Sequence, residues 1–245
     1  MKTSVLLTRP EGENEVLAAR LVNDGFDVTI RPMIRLSEVE VDSRLKEIAM
    51  NLDQYDHVIF VSKRAASVGA ALLENYWPQW PAKLTWLAVG KGTAEVLTEY
   101  QVNALYPLLA GSEGLLGLPA LTEVRGRKIL IVRGNGGREL LAAALKERGA
   151  LVEYFEVYRR DPVRYENWEN SEAALIVIAT SVEILESLTS QAGARVASMN
   201  ILAASTRIAE HARQLAFCSV TIAAGASDQA LYDAVLDLSE NVGLS

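Results

Sequence analysis

The chain has one cysteine, Cys218, and two histidines, His57 and His211, in 245 residues. A single cysteine excludes an intramolecular disulfide and suits a reducing compartment. Cys218 stands in Ala216-Phe217-Cys218-Ser219-Val220, at the entry to an apolar run, and reads as a buried small hydrophobe. Neither histidine belongs to a cluster with metal-ligand spacing, so no metal site is expected. Long apolar runs are also lacking. The opening Val5-Leu6-Leu7 is too short for a signal peptide, and no stretch approaches the ~20 apolar residues of a membrane span. A cytoplasmic protein without membrane contact follows as the expectation. Positive charge is in deficit: the net charge is −7 and the pI about 5.1. That balance argues against a general nucleic-acid binder and leaves a local anion site open. Gly-x-Ser-x-Gly, Walker and dinucleotide-binding signatures are missing too.

Apolar material is plentiful: 50% of residues are hydrophobic and 22% charged. The length suits one large domain or two smaller ones. Short apolar runs alternate with amphipathic segments, the signature of parallel α/β structure. Strands are expected at 5–8, 28–30, 58–61, 86–89, 104–106, 129–132, 152–155, 175–179, 201–204 and 220–223. Helices are expected at 14–23, 65–76, 93–100, 138–148, 206–215 and 228–238. The runs are continuous rather than alternating, as strands buried on both faces should be.

The pattern is duplicated. Val5-Leu6-Leu7-Thr8-Arg9 is matched by Ile129-Leu130-Ile131-Val132-Arg133, Leu17 by Leu141, Gly25 by Gly149 and Val28 by Val152. Each pair has the same offset, 124 (149 − 25). Each copy reads strand, helix, glycine cap, strand. Later segments also correspond, so two homologous five-stranded domains are expected. Segments 35–41 and 156–162 occupy matching places after each copy and read as extended crossings between domains.

Small and hydroxyl residues recur where strands give way to helices: Thr8, Ser62, Gly90, Thr93, Ser112, Thr180, Ser181, Ser205, Thr206 and Ser227. In a parallel sheet these turns gather at the carboxyl ends of the strands. Helix N-termini there offer free N–H groups and a positive dipole end. Plain N-capping explains any one of these residues. As a set, with Arg9, Lys63, Arg64, Lys91, Arg133, Arg138 and Arg207 nearby, they point to a cleft for an anionic ligand. Residues 133–138, Arg-Gly-Asn-Gly-Gly-Arg, come nearest to a phosphate loop but lack its Lys-Ser/Thr pair. They read as a tight turn with anion-facing amides, or as the loop of a nucleotide-dependent transferase.

Several segments resemble the uroporphyrinogen-III synthase family. Val5-Leu6-Leu7-Thr8-Arg9-Pro10 is similar to the family's start, and Phe60-Val61-Ser62-Lys63-Arg64-Ala65 to its Phe-Thr-Ser-x-(Asn/Arg)-Ala segment, with Val61 in place of Thr. Ala88-Val89-Gly90-Lys91-Gly92-Thr93-Ala94 resembles its Val-Gly-x-x-Thr-Ala turn, and Gly111-Ser112-Glu113-Gly114-Leu115 and Val157-Tyr158 also fit. The resemblance runs over nearly the whole chain and rests on the order and spacing of these motifs together.

It implies two flavodoxin-like parallel-sheet α/β domains joined by a two-stranded β linker. The first would combine residues 1–35 and 162–245, the second would hold 36–161, and the linker strands would lie near 34–41 and 156–162. It implies a cofactor-independent cyclising lyase. Hydroxymethylbilane, a linear tetrapyrrole, would lose its terminal hydroxyl, pass through a spiro intermediate and close to uroporphyrinogen III with its last ring inverted. Tyr158 matches the family's candidate for assisting departure of that hydroxyl; the alternative is a ring packed at the domain junction. Thr8, Arg9, Ser62, Lys63, Arg64, Gly90, Thr93, Ser112, Arg133, Arg138, Thr180, Ser181, Ser205 and Arg207 are assigned to substrate. A monomer is implied, with transient hand-over from hydroxymethylbilane synthase and no nucleic-acid partner. The competing reading from another class is a two-lobed anionic small-ligand-binding protein.

Overall fold

The computed structural model describes residues 3–136, 139–166 and 176–242. Ten strands and nine α-helices are placed in these residues. Two compact units result: Met1–Leu36 with Asp161–Ser245, and Ser37–Arg160.

The first unit is built on β1 (Ser4–Leu7), β2 (Asp27–Ile30), β8 (Ile176–Ala179), β9 (Asn200–Ala203) and β10 (Ser219–Ile222), in the order β10-β9-β8-β1-β2. Every pair is parallel, with Val5 opposite Ile176 and Leu7 opposite Ile178. Renumbered within the unit the order is 2-1-3-4-5, the flavodoxin-like arrangement. Residues of β8 are buried throughout, which explains an uninterrupted apolar run. The helices α1 (Glu15–Asn23), α7 (Val182–Ala192), α8 (Thr206–Arg213) and α9 (Asp228–Val242) belong to this unit. Leu17, Ala18 and Leu21 of α1 are buried and join Leu6, Ile178 and Leu202 in one core.

The second unit has the order β3-β7-β6-β4-β5, from β3 (Ile34–Glu38), β4 (His57–Phe60), β5 (Thr85–Ala88), β6 (Lys128–Gly134) and β7 (Leu151–Pro162). Within the run β7-β6-β4-β5 every neighbouring pair is parallel. Its helices are α2 (Ser43–Met50), α3 (Lys63–Glu74), α4 (Lys91–Thr98), α5 (Ser112–Leu116) and α6 (Leu140–Glu147). Here β6 and β7 take the places of β1 and β2, and β4 and β5 those of β8 and β9. Both chain crossings between units fall inside strands, at Leu36–Ser37 in β3 and Arg160–Asp161 in β7.

The offset of 124 has a physical basis at its glycines. Gly25 has φ +90° and Gly149 φ +85°. Behind each, the next residue donates across the helix end, Phe26 N to Leu21 O (3.1 Å) and Ala150 N to Leu145 O (3.0 Å). Both are Schellman closures, in which a left-handed residue ends the helix and a residue with a Cβ is strained.

Three expectations need amendment. The strand expected at 104–106 shrinks to a single bridge, Leu105 with Leu87, because Pro107 follows at once and removes a donor. Helices α2, α5 and α7 lie beyond the anticipated helices; α2 is capped by Asp42, whose side chain accepts from Leu45 N at 2.8 Å, and α7 by Ser181. Cys218 is exposed rather than buried. It lies in the turn after Ala216 (φ +52°), one residue before edge strand β10 begins.

Candidate functional site

Each sheet has one place where successive crossovers leave in opposite directions. In such folds ligands bind there, outside the carboxyl ends of the strands. In the first unit it lies between β1 and β8, in the second between β6 and β4.

At the second unit's switch point, Ser62 follows β4 and caps α3. Its Oγ accepts from Ala65 N at 3.0 Å and lies 3.3 Å from the Tyr158 hydroxyl. Tyr158 comes from β7 and is only 2% exposed. Its ring occupies the space beside Gly134, where an added Cβ would lie 2.6 Å from Cζ. Glycine at 134 is therefore what admits the ring. A bulge in β6 at Arg133 and Gly134 sets Gly134 opposite Tyr158. Lys63 and Arg64 stand exposed in the first turn of α3.

After β5 the chain turns into α4 through Gly90, an extended cap (φ −178°). A Cβ on Gly90 would meet Ala110 Cβ at 2.9 Å. Thr93 is buried in the first turn of α4, its N–H donating to Gly90 O at 3.1 Å. Ser112 begins the five-residue α5.

In the first unit, Thr8 is fully buried and its hydroxyl donates to Ile178 O. That bond ties the end of β1 to β8. Thr180 and Ser181 follow β8, and Ser181 caps α7 by accepting from Ile184 N at 3.2 Å. Ser205 caps α8 in the same way, with Ile208 N at 3.5 Å. Arg207 is exposed in the first turn of α8.

Arg9 and Arg133 form ion pairs within the protein. Arg9 reaches Asp228 at 2.5 Å and Glu13 at 3.8 Å. Arg133 is buried, 3.0 Å from Glu139, with its guanidinium 4.7 Å from the Tyr154 ring centroid. The Tyr154 hydroxyl donates to Glu139. That bond, with Arg133 beside it, holds the Glu139 carboxyl below its usual range. Burial and then the Glu139 bond push Tyr154 up to about 12. The backbone at 134–136 is tied to β7, with Asn135 N donating to Tyr158 O and Asn135 Oδ1 accepting from Arg160 N. Arg138 lies outside the described residues.

Two open grooves lie elsewhere. One of about 870 Å³ runs past Arg44, Tyr55, Lys128, Lys146 and Glu153, at the amino ends of β6 and β7. A smaller one, about 300 Å³, lies by Ile30, Pro32, Arg35 and Tyr165. The first is at the wrong end of the sheet for a switch-point ligand, and its cations are interleaved with Glu47 and Glu153. Topology, not groove volume, picks the switch points as the candidate site. Among the described residues no group of three or more His, Cys, Asp or Glu could hold a metal ion. No helix in them is long and apolar enough to cross a membrane.

The family model described as uroporphyrinogen-III synthase HemD matches residues 15–233. The chain belongs to the uroporphyrinogen-III synthase family. It is 32% identical to the uroporphyrinogen-III synthase of Escherichia coli K12, over 95% of this chain and 99% of that one. It is 33% identical to the Salmonella typhimurium LT2 protein of the same name, with the same coverage. Among solved structures, a mutant uroporphyrinogen III synthase from the extreme thermophile Thermus thermophilus aligns with TM-score 0.70 at 20% identity, covering 99% of this chain and all of that one. The Helicobacter pylori 26695 uroporphyrinogen-III synthetase aligns at TM-score 0.62 and 14% identity, covering 97% of this chain and all of that one. At these identities the structural likeness speaks for the fold.

Proposed function

We propose that the protein takes hydroxymethylbilane as substrate and closes it with inversion of the last ring. The activity is that of uroporphyrinogen-III synthase, a cyclising lyase of tetrapyrrole biosynthesis, as family membership over most of the chain establishes. The observation that carries the residue-level reading is the Ser62–Tyr158 contact at the switch point of the second sheet.

The chemistry asks little of side chains. A pyrrole nitrogen lone pair expels the terminal hydroxyl, which leaves as water once it has gained a proton. The azafulvene so formed is attacked by the substituted end of the far ring, giving a spiro intermediate. Cleavage and reclosure then invert that ring, and a proton is lost as aromaticity returns. The protein's part is to hold a flexible polyanion in the bond-forming geometry and to exclude the unrearranged closure.

Ser62 suits this task through its two lone pairs and one proton. One lone pair accepts from Ala65 N, so its proton is available for the Tyr158 oxygen. The phenol proton is then free for the departing hydroxyl. The amides at the starts of α3, α4, α7 and α8, with the hydroxyls of Thr93, Thr180, Ser181 and Ser205, supply fixed partial positive charge for the carboxylate arms. Lys63, Arg64 and Arg207 add screened attraction. Thr8, Arg9 and Arg133 shape the strand ends through the bonds above. A cytoplasmic monomer that receives its substrate from hydroxymethylbilane synthase completes this reading.

The test is consumption of freshly made hydroxymethylbilane by purified, chelator-treated and nucleotide-free protein. Cyclisation should outrun the spontaneous reaction in proportion to enzyme. A rate independent of enzyme would overturn the reading.

A further inference from the structure

Leu108 and Leu109 are 103% and 82% exposed, and Leu105 and Tyr106 just before them 52% and 44%. Scattered exposed leucines are ordinary, but adjacent ones held out on an anchored backbone are not. Anchoring is visible on both sides. Ala110 packs on Gly90, and Gly111 N donates to Val89 O at 3.0 Å. The Leu109 carbonyl occupies the space a Cβ on Gly114 would need, and Pro107 Cβ lies 3.1 Å from that position.

A chain of close approaches links Lys63 to the two leucines. A Cβ on Gly92 would meet Lys63 Cε at 2.7 Å and Nζ at 3.3 Å, so the Lys63 chain crosses over α4 at Gly92. Running along it are Lys63, Gly92, Gly90, Ala110 and then the two leucines. One end carries the Lys63 ammonium, Gly90 and Gly92 between are covered by Ala110 and the Lys63 chain, and the other end is an apolar lip.

We propose that Leu108 and Leu109 are a substrate-positioning lip, on which an apolar pyrrole ring of the tetrapyrrole rests while its carboxylate arms reach toward Lys63 and the α4 amides. The inference rests on the reading given under Proposed function and deepens it. Complementarity selects the occupant: a tetrapyrrole carries flat apolar rings and acid arms close together, matching the exposed leucines and the Lys63 ammonium. A hydrophobic partner protein would leave Lys63 and the amides without counterparts. The lip adds what amides cannot, discrimination by ring position, because apolar contact depends on where the ring lies.

The experiment is fluorescence titration with uroporphyrin III, a stable acid-bearing macrocycle, together with steady-state kinetics on hydroxymethylbilane. Leu108→Ser/Leu109→Ser should weaken uroporphyrin binding and raise KM by about tenfold or more, about 1.4 kcal/mol. The thermal midpoint and the sedimentation coefficient should match those of the unaltered chain, because side chains this exposed contribute little packing. Leu108→Met/Leu109→Met should restore most of the affinity. Unchanged binding and KM would overturn the proposal. So would a lower midpoint or a changed sedimentation coefficient, which would make the leucines a packing or self-association contact. Failure of the underlying reading is separately visible, as an unaltered chain that does not accelerate cyclisation at all.

Discussion

The Ser62 Oγ and the Tyr158 hydroxyl lie 3.3 Å apart, joining the end of β4 to β7 across the intervening β6. Ser62 already accepts from Ala65 N, so one hydroxyl serves as helix cap and as partner of a buried phenol. The pair sits where chain topology places ligands in this class of sheet.

Tyr158→Phe keeps the ring against Gly134 and removes only the hydroxyl. Turnover should fall by more than ~10-fold, or ~1.4 kcal/mol of transition-state stabilisation, with the thermal midpoint within a few degrees. Single-turnover kinetics separate this from product release. Unchanged turnover would leave Tyr158 a packing residue.

Gly134→Ala attacks the same tyrosine from the other side. The new Cβ would lie 2.6 Å from the Tyr158 Cζ, and the buried ring must move. Overpacking of this kind costs about 1–3 kcal/mol, read as a lower denaturation midpoint. Turnover should drop at least as far as in Tyr158→Phe. A fully active, fully stable Gly134→Ala protein would show that the ring's position is immaterial.

Anion binding spread over amides predicts mild single deletions. Thr93→Ala and Ser205→Ala should each lose roughly 0.5–2 kcal/mol of binding or stability, because the backbone donors remain. Gly90→Val should be worse, since its side chain collides with Ala110 at the start of α4. Binding of uroporphyrin III by the three variants checks the ranking. Loss of all activity on one hydroxyl deletion in a folded protein, with Gly90→Val unaffected, would require a dedicated catalytic hydroxyl instead.

His57 opens β4 at the far end of the sheet from the switch point. Burial lowers its pKa, only partly opposed by Asp56, and its Nδ1 has no hydrogen-bond partner. The unfolded chain therefore takes up this proton first as pH falls. Stability should decline from about the unfolded histidine value of ~6.5 downward, until the folded-state pKa is passed. Denaturation midpoints measured at steps from mildly alkaline to mildly acidic pH, about one unit either side of that value, should fall less in His57→Gln than in the unaltered chain. Parallel curves would assign the acid sensitivity to other groups.

Fold class was legible because buried parallel strands are continuously apolar and because Gly25 and Gly149 punctuate equivalent helices. The hydroxyl residues at strand ends were legible for the same reason, as caps. What the side chains do there was not. Arg9 and Asp228 are separated by 219 positions, and only the fold brings the carboxylate to the arginine. Arg133 looked like a phosphate ligand beside glycines, yet Glu139 and Tyr154 enclose it. Cys218 read as buried because an apolar setting does not show that the turn before an edge strand faces solvent. The exposed leucines were not singled out in the sequence, because they follow the strand expected at 104–106 and only the fold shows that pairing stops at the Leu105 bridge.

The most direct test of the account is the isomer composition of the macrocycle. Purified protein is given fresh hydroxymethylbilane, the product is oxidised to uroporphyrin, and the isomers are separated by chromatography at rising enzyme concentration. The account predicts that type III dominates and that its share rises with enzyme as spontaneous closure is outcompeted. Product that stays wholly type I at every enzyme concentration would contradict it.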